Sequence, residues 1–488
     1  MTTTRENTAL DELGIDLSLP FSVTNMELMT GGWAEFPGLQ APEVEARLRR
    51  CLKAGAYGEA EEIIARYRKA IGNRQPNDAL ATFYSSNFAL LRGDRETATA
   101  AYLKAGEVIP LSHDKTTEML RERDEISEQI AVVLGVSNIC DLNCVSCRAQ
   151  DIITYPGNMR FETFQKIVDD CCASGLTGFM LHQSNEPLLH PLIFEFLLYL
   201  EDKGASVTIS THLNSIDRFI RRARNQPRLP KRLALRYSID GATRETYNAI
   251  RINGNFDKVL ENVALIRDYC REAGIELGTG SKFVVTKQNL GELATFYHTF
   301  KEYVPYEAMT FHFAGFTEAR PQIIPYVKGQ AATHFYRPNH CGLPSSQIHD
   351  FIHDGRQILC CHDPNDMSVI GSIEDPLWLE NWWSGDDMKR IRGEMKAGNL
   401  DQTHKLCQGC YFPITSILSL SIHRALHEMF RLNSKFGIPL TDRHIVDRLC
   451  LELRLNGYDL LADGEPARYF LDEEAARDGR TFIQPAAL

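Results

Sequence analysis

The sequence predicts an α/β protein built on a parallel sheet, and three observations carry that prediction. Six short β-type runs, at 131–137, 178–182, 206–210, 233–239, 282–286 and 309–313, follow one another along the middle of the chain. Amphipathic helical stretches lie between them, for example at 161–174, 193–203, 242–250 and 256–273. Strands that alternate with helices imply parallel pairing through right-handed crossovers. Six alternations suit a partial (β/α)6 barrel as well as an open sheet, and the pattern alone does not choose between them.

The segments on either side read differently. At 488 residues the chain exceeds one compact core, so two to four domains are expected, by roughly 100–200 residues per domain. Residues 1–130 form an expected helical domain, with apolar residues at helical spacing over 41–71 and 78–109. Gly55 with Ala60 repeats as Gly93 with Ala98, which resembles degenerate tetratricopeptide units; a plain helical lid or docking domain is the other reading. The β/α region occupies 131–335. Residues 336–414 lose the rhythm and hold a second group of cysteines, and 415–488 return to helix as a C-terminal extension.

Composition narrows the function classes. A net charge of −11 argues against a general nucleic-acid binder, which needs a cationic surface. No apolar run approaches the roughly 18 residues of a membrane span, and the first residues contain no signal-peptide core. The expected location is cytoplasmic. In that reducing setting thirteen cysteines do not suggest a disulfide framework, and clustered ones read as metal ligands or redox groups.

The first cluster, Cys140-Asp-Leu-Asn-Cys144-Val-Ser-Cys147, follows directly after the first β run. Three thiolates from one loop can ligate three irons of a cubane and leave the fourth iron open for chemistry. Zinc would want a fourth ligand nearby, and none stands at a conventional spacing. Three incidental core cysteines are the alternative. A C-x3-C-x2-C loop after the first strand resembles the signature of radical S-adenosylmethionine (SAM) enzymes. That resemblance, over roughly 130–410, implies a partial barrel and a [4Fe–4S] cluster whose open iron chelates SAM. It further implies reductive cleavage of SAM to a 5′-deoxyadenosyl radical that takes hydrogen from a substrate.

Downstream segments extend the resemblance in order. His182-Gln-Ser-Asn-Glu186-Pro187 looks like the family's Gly-Gly-Glu-Pro stretch with Ser184 and Asn185 in place of the glycines. Glu186 would there accept a hydrogen bond from the SAM ammonium. Tyr237-Ser238-Ile-Asp240-Gly241, with Glu245-Thr-Tyr247 and Ile250-Arg251 through Gly254-Asn-Phe256, resembles the SPASM/Twitch branch. By that analogy Ser238 meets the SAM ribose or carboxylate and Arg251 the carboxylate. Taken singly, Asp240 reads as a helix cap and Arg251 as a surface ion pair. Ser146 stands where the family usually has an aromatic against adenine.

The second group comprises Cys341, Gly355, Cys360, Cys407 and Cys410, with thirteen residues between Cys341 and Gly355 and four between Gly355 and Cys360. Four thiolates would saturate a cubane; a structural zinc ribbon is the alternative. The spacing resembles a Twitch/SPASM-like domain, and with only Cys450 beyond Cys410 the resemblance implies one auxiliary [4Fe–4S] cluster. Cys171, Cys172 and Cys270 fall in expected helices and read as packing residues.

Strand parity adds candidates. If Ser238 faces the barrel interior, Arg236 does too, and Met309, Phe311 and Phe313 facing outward leave His312 inward. Arg236 and His312 are therefore candidates for substrate binding or proton removal. Arg218, Arg221, Arg222, Arg224, Arg228, Lys231 and Arg232 fall within fifteen residues. They read as a solvated face, or as a docking patch for an acidic electron donor such as a flavodoxin or ferredoxin. The expected function is that of a radical SAM oxidoreductase performing a two-electron dehydrogenation of a small polar molecule such as an aminocyclitol or sugar. A peptide-modifying maturase and a non-catalytic Fe–S or zinc protein are the alternatives.

Overall fold

The structure is a computed structural model that describes residues 56–71, 131–147, 156–183, 185–314, 347–361, 368–408 and 442–455, with shorter stretches and isolated positions between and around them. Cys410, Ser184 and most of the second helical unit expected at 78–109 lie outside the described residues. In chain order the strands begin with β1 (Ala131–Leu134), β2 (Asn143–Cys144), β3 (Gly178–Leu181), β4 (Ser206–Thr211), β5 (Arg232–Ser238), β6 (Arg251–Ile252) and β7 (Glu276–Val285). They continue as β8 (Met309–Phe313), β9 (Tyr326–Gly329), β10 (Gln347–Phe351), β11 (Arg356–Ile358), β12 (Val369–Ser372) and β13 (Tyr458–Leu461).

Six of these form a half-barrel sheet in the order β1-β3-β4-β5-β7-β8, every neighbouring pair parallel. All six coincide with β runs read from the sequence. The one large shift is at the start of β7, which begins at Glu276 rather than 282. Gly278 and Gly280 read locally as breakers, yet pairing with β5 from Arg232↔Glu276 onward carries the strand through them. Helices Phe161–Ala173, Ile193–Asp202, Arg244–Ile250 and Phe256–Ala273 fill the expected crossovers, and Ile216–Ala223 and Leu293–Phe300 fill the remaining two.

Alternation along the strands separates two faces. Leu233, Leu235 and Tyr237 of β5, Phe283 and Val285 of β7, and Met309, Phe311 and Phe313 of β8 are buried against the helices. Phe283 packs on Phe296 at 4.8 Å between ring centroids, and Phe164 stacks on Phe196 at 4.0 Å. The intervening residues of β5, β7 and β8 face the concave side and are less covered, which is where the site lies.

The sheet does not stop at the expected boundary between 335 and 336. β10 adds to β1 in parallel, and β11 and β12 follow as antiparallel hairpin partners, giving one nine-stranded sheet. Gly355 makes the β10–β11 turn possible. It sits at φ 88°, and a Cβ there would lie 2.5 Å from Ile373 Cγ2. At the other edge, the Phe311 N–H donates to His423 Nε2 (3.4 Å) and His427 Nε2 donates to the Met309 carbonyl (3.0 Å). The C-terminal helical residues thus satisfy the open backbone groups of β8. Asp442 fastens the same segment by accepting from the Ala294 N–H (2.6 Å) and the Thr295 N–H (3.1 Å) at the start of helix Leu293–Phe300. Among the described residues no helix is long and apolar enough to cross a membrane.

Candidate active site

Leaving β1, the chain enters the cysteine loop, and β2 pairs antiparallel with β6 so that Cys144 lies opposite Arg251. The Val145 N–H donates to the Ile250 carbonyl at 2.8 Å, which fastens the loop to the end of helix Arg244–Ile250. Arg251 is buried: its Nη2 meets Asp240 Oδ2 at 2.7 Å and its Nη1 approaches Cys144 Sγ at 3.8 Å. Two local readings are thereby corrected. Arg251 is no surface ion pair, and Asp240 is not a helix cap, because Thr243 Oγ1 caps the helix by accepting from the Thr246 N–H. Asp240 instead accepts from the Val284 N–H at 2.8 Å and so ties the end of β5 to β7. Gly241 lets this turn close, since a Cβ there would lie 2.6 Å from the Tyr247 nitrogen.

Beneath the loop lies a second charged group, in which Glu186 was expected but its partners His212 and Asp141 were missed by sequence reading. Glu186 is buried, with Oε1 accepting from the Leu188 N–H (3.3 Å) and Oε2 from the His212 N–H (2.9 Å). His212 Nε2 stands 2.8 Å from Asp141 Oδ1 and 3.2 Å from Glu186 Oε2. Burial works against charge on His212, but Glu186, Asp141 and Cys140 more than offset it and hold the imidazolium up to about 10. Burial likewise opposes charge on Asp141, and His212 and Ser215 overcome it to hold the carboxyl down at about 2. Asp141 inside the cysteine loop and His212 at the end of β4 were the available signal. Arg222 fixes the far end of the Glu186 stretch, donating to the carbonyls of Leu188 (3.1 Å), His190 (2.8 Å) and Pro191 (2.8 Å). Gln183 carries φ 111°, a strained value for a non-glycine residue that falls just before the two positions where the related stretch has glycines.

These pieces enclose one cavity of about 600 Å3. Its walls include Cys140, Cys144 and Cys147, then Glu186, Ser238 and Arg251, with His182, Ser210, Lys282 and Cys361 on the concave side. Arg236 and His312 share the inward face of their strands. Burial lowers Arg236 below the usual guanidinium range. Burial together with Lys282, His423, Arg236 and His182 holds His312 well below the ordinary imidazole value, so it stays neutral.

In the second cysteine group, Cys360 follows β11 in a loop closed by Asp363, whose Oδ2 accepts from the Ser368 N–H (2.5 Å) and hydroxyl (2.6 Å). Cys407 ends a short 3-10 turn, Lys405–Cys407, that His404 Nδ1 caps at the Leu406 N–H (3.1 Å). Cys341 and Cys360 are half-buried and pack against the main core. Cys171 and Cys270 are buried in helices, in keeping with packing roles.

The donor set suits an iron–sulfur cluster with a polar organic partner. Burial pushes the Cys144 thiol up to about 12, so a free proton would stay on it until a metal displaced it. Around the same cavity Gln183 Nε2, Asn185 Oδ1, Ser210 Oγ and Arg251 Nε are buried and find no hydrogen-bond partner among the described residues. A polar ligand would satisfy them, and the volume falls within the range of roughly 300–1,000 Å3 common to cofactor sites.

The family model described as the radical SAM superfamily matches residues 134–298. The chain carries a radical SAM domain. Radical SAM proteins use a [4Fe–4S] cluster and SAM, and the matched segment holds the cysteine loop together with Glu186, Ser238 and Arg251. Solved structures similar to this chain include BtrN in complex with AdoMet and 2-DOIA, at 14% identity over 58% of this chain and 93% of that one, with a TM-score of 0.37. Native anSMEcpe with bound AdoMet matches at 15% identity over 63% and 99%, with a TM-score of 0.40. Streptococcus suis SuiB bound to S-adenosylmethionine matches at 14% over 59% and 71%, with a TM-score of 0.35. No curated protein sequence matches.

Proposed function

We propose that the chain is a cytoplasmic radical SAM oxidoreductase with one auxiliary [4Fe–4S] cluster, and that it dehydrogenates a small polar molecule such as an aminocyclitol or sugar. The observation that supports this reading is the convergence of the cysteine loop, the Glu186 stretch, the end of β5 and β6 on a single cavity. In this reading Cys140, Cys144 and Cys147 hold the SAM-binding cluster. Cys341, Cys360, Cys407 and Cys410 hold the auxiliary one, in a Twitch/SPASM-like arrangement. With both clusters loaded, the cofactors supply a 5′-deoxyadenosyl radical that removes hydrogen and an acceptor for the second electron.

The chain's own residues bind and orient. Glu186 keeps one of about four carboxylate lone-pair sites for the SAM ammonium, three being taken by Leu188 and His212. Arg251 has Nε free of partners for the SAM carboxylate, and Ser238 offers a hydroxyl on the same wall. His312, held neutral, can accept at an imidazole nitrogen the proton that leaves the substrate. Arg236 orients the substrate. A flavodoxin or ferredoxin would donate the first electron. Of the basic run on the outer surface, Arg221, Arg228 and Arg232 are paired with carboxylates and Arg222 with carbonyls, which leaves exposed Arg218, Arg224 and Lys231 for such a donor.

Protein purified without oxygen should contain about eight irons, and the Cys140, Cys144 and Cys147 triple alanine variant about four. Stoichiometric zinc with little iron would overturn the reading. In a folded Cys407→Ala/Cys410→Ala variant, 5′-deoxyadenosine should persist while oxidised product falls sharply. Product still matching 5′-deoxyadenosine one for one would remove the electron-acceptor role.

A further inference from the structure

We infer that the concave face beyond the cysteine loop is a subsite for an anionic group of the substrate, a carboxylate or a phosphate ester, gripped by Arg236 and Lys282. The inference rests on the proposed reading that the substrate enters this barrel, and it narrows the substrate class.

Strand register brings the two cations together. Ser238 pairs with Lys282 and Arg236 with Gly280 across β5 and β7, and Ser210 pairs with Arg236 across β4 and β5. Arg236, Ser238, Gly280 and Lys282 belong to the less covered, inward-facing set of their strands, and Ser238 and Lys282, with the buried Ser210, line the cavity itself. Gly278 and Gly280 place no side chains beside Ala234 and Arg236, and the Ala308 carbonyl lies 3.2 Å from where a Cβ at Gly280 would stand. Arg236 sits two positions before Ser238 on β5, roughly 6–7 Å further from the cysteine loop by strand rise.

Neither cation has an acidic or hydrogen-bonding partner among the described residues, in contrast to the other arginines of the site. Arg251 is taken by Asp240 and Arg222 by three carbonyls. The one carboxylate near Lys282 is Asp240, whose oxygens already serve Arg251 and the Val284 N–H. The other groups near the pair are Cys361, which favours charge on Lys282, Arg251, which opposes it, and His182, His312 and His423, of which His312 and His423 are held neutral by burial. Burial lowers both Arg236 and Lys282, and Arg236 adds to the depression of Lys282. Two half-buried cations without a counterion are costly, and an anion between them offsets that cost. The planar guanidinium can bind two oxygens of one carboxylate or phosphate, and the ammonium adds a point charge. A substrate bearing only an ammonium would meet repulsion here, so of the small polar molecules proposed above the subsite favours a sugar or aminocyclitol that carries a carboxylate or phosphate over a plain aminocyclitol.

The test uses the cluster-loaded enzyme with SAM bound, titrated calorimetrically with inorganic phosphate and, separately, with acetate; whichever anion binds tighter identifies the source chemistry. Arg236→Gln and Lys282→Met should each weaken that anion about tenfold or more, the loss of one charge-assisted contact. Arg236→Lys should keep part of the affinity, and SAM affinity in Arg236→Gln should hold within about twofold of the parent. Equal anion affinity in parent and Arg236→Gln would overturn the inference. So would anions that compete with SAM while Lys282→Met weakens SAM alone, because Lys282 would then serve the cofactor's carboxylate. If no cluster or SAM is taken up, the radical SAM reading fails instead. The same titrations on the protein as isolated then decide the anion subsite independently.

Discussion

Asp240 and Arg251 form the pair on which the cysteine loop rests, because Arg251 holds the strand opposite Cys144 while Asp240 holds the end of β7. Both side chains are almost fully out of water, so each charge depends on the other. Removing one partner of such a pair typically costs about 3–5 kcal/mol, since the other is left buried and uncompensated. Asp240→Asn should destabilise the protein by about that amount. Asp257→Asn, which breaks the exposed pair Arg244–Asp257, should leave stability nearly unchanged. Urea melts of the two variants check the contrast, and equal effects would show that burial is not what gives the pair its weight. Asp240 looked like a cap because Ser-Ile-Asp-Gly is a common strand exit. Its true partner lies across a helix, where local reading cannot see it.

At the scale of elements, the β10–β11 turn and the helix Asp386–Lys396 make a matched comparison. Gly355 has φ 88° and Ile373 within 2.5 Å of where a Cβ would stand, whereas Gly393 lies inside a helix with nothing within 4 Å. Gly355→Ala should lower stability by about 2–3 kcal/mol from left-handed backbone strain plus the forced shift of Ile373. Gly393→Ala should raise it by up to about 1 kcal/mol, because alanine loses less backbone freedom on folding. Thermal melts of the two variants should move in opposite directions. Gly355 was legible as a spaced member of the second cysteine group. That its turn also extends the barrel sheet was not, because the β10–β1 pairing joins residues more than two hundred positions apart.

For the molecule as a whole, buried histidines set the acid limb of stability. Burial, reinforced by Arg222, holds His190 down at about 4, and burial with His427 holds His423 at about 4. Unfolded histidine titrates near 6.5, so between about pH 6.5 and 4 the unfolded chain takes up protons that the folded chain refuses. The contribution of these two histidines is therefore full above about 6.5 and falls as pH drops toward 4, by about 1.4 kcal/mol per unit for each. His190→Asn keeps an acceptor for the Leu192 N–H, now at 3.0 Å from Nδ1, and removes one proton from that slope. Comparing urea midpoints at pH 7 and pH 5 checks it: a variant whose acid loss equals the parent's would show that His190 is not protonated on unfolding.

By itself the sequence determined the parallel α/β sheet, the six strands of the half barrel and the three-cysteine loop that follows the first of them. Those are local matters of periodicity, spacing and strand exits, settled within a few residues of chain. Tertiary structure alone decided that Asp240 serves Arg251, that His212 is clamped between Asp141 and Glu186, and that β10 continues the sheet beside β1. It also decided that Lys282, an unremarked residue at the start of an expected strand, faces the cavity near Arg236. The physical reason is the same each time: charge pairing and strand register depend on distance through space, and in this fold crossovers bring together groups that the chain keeps far apart.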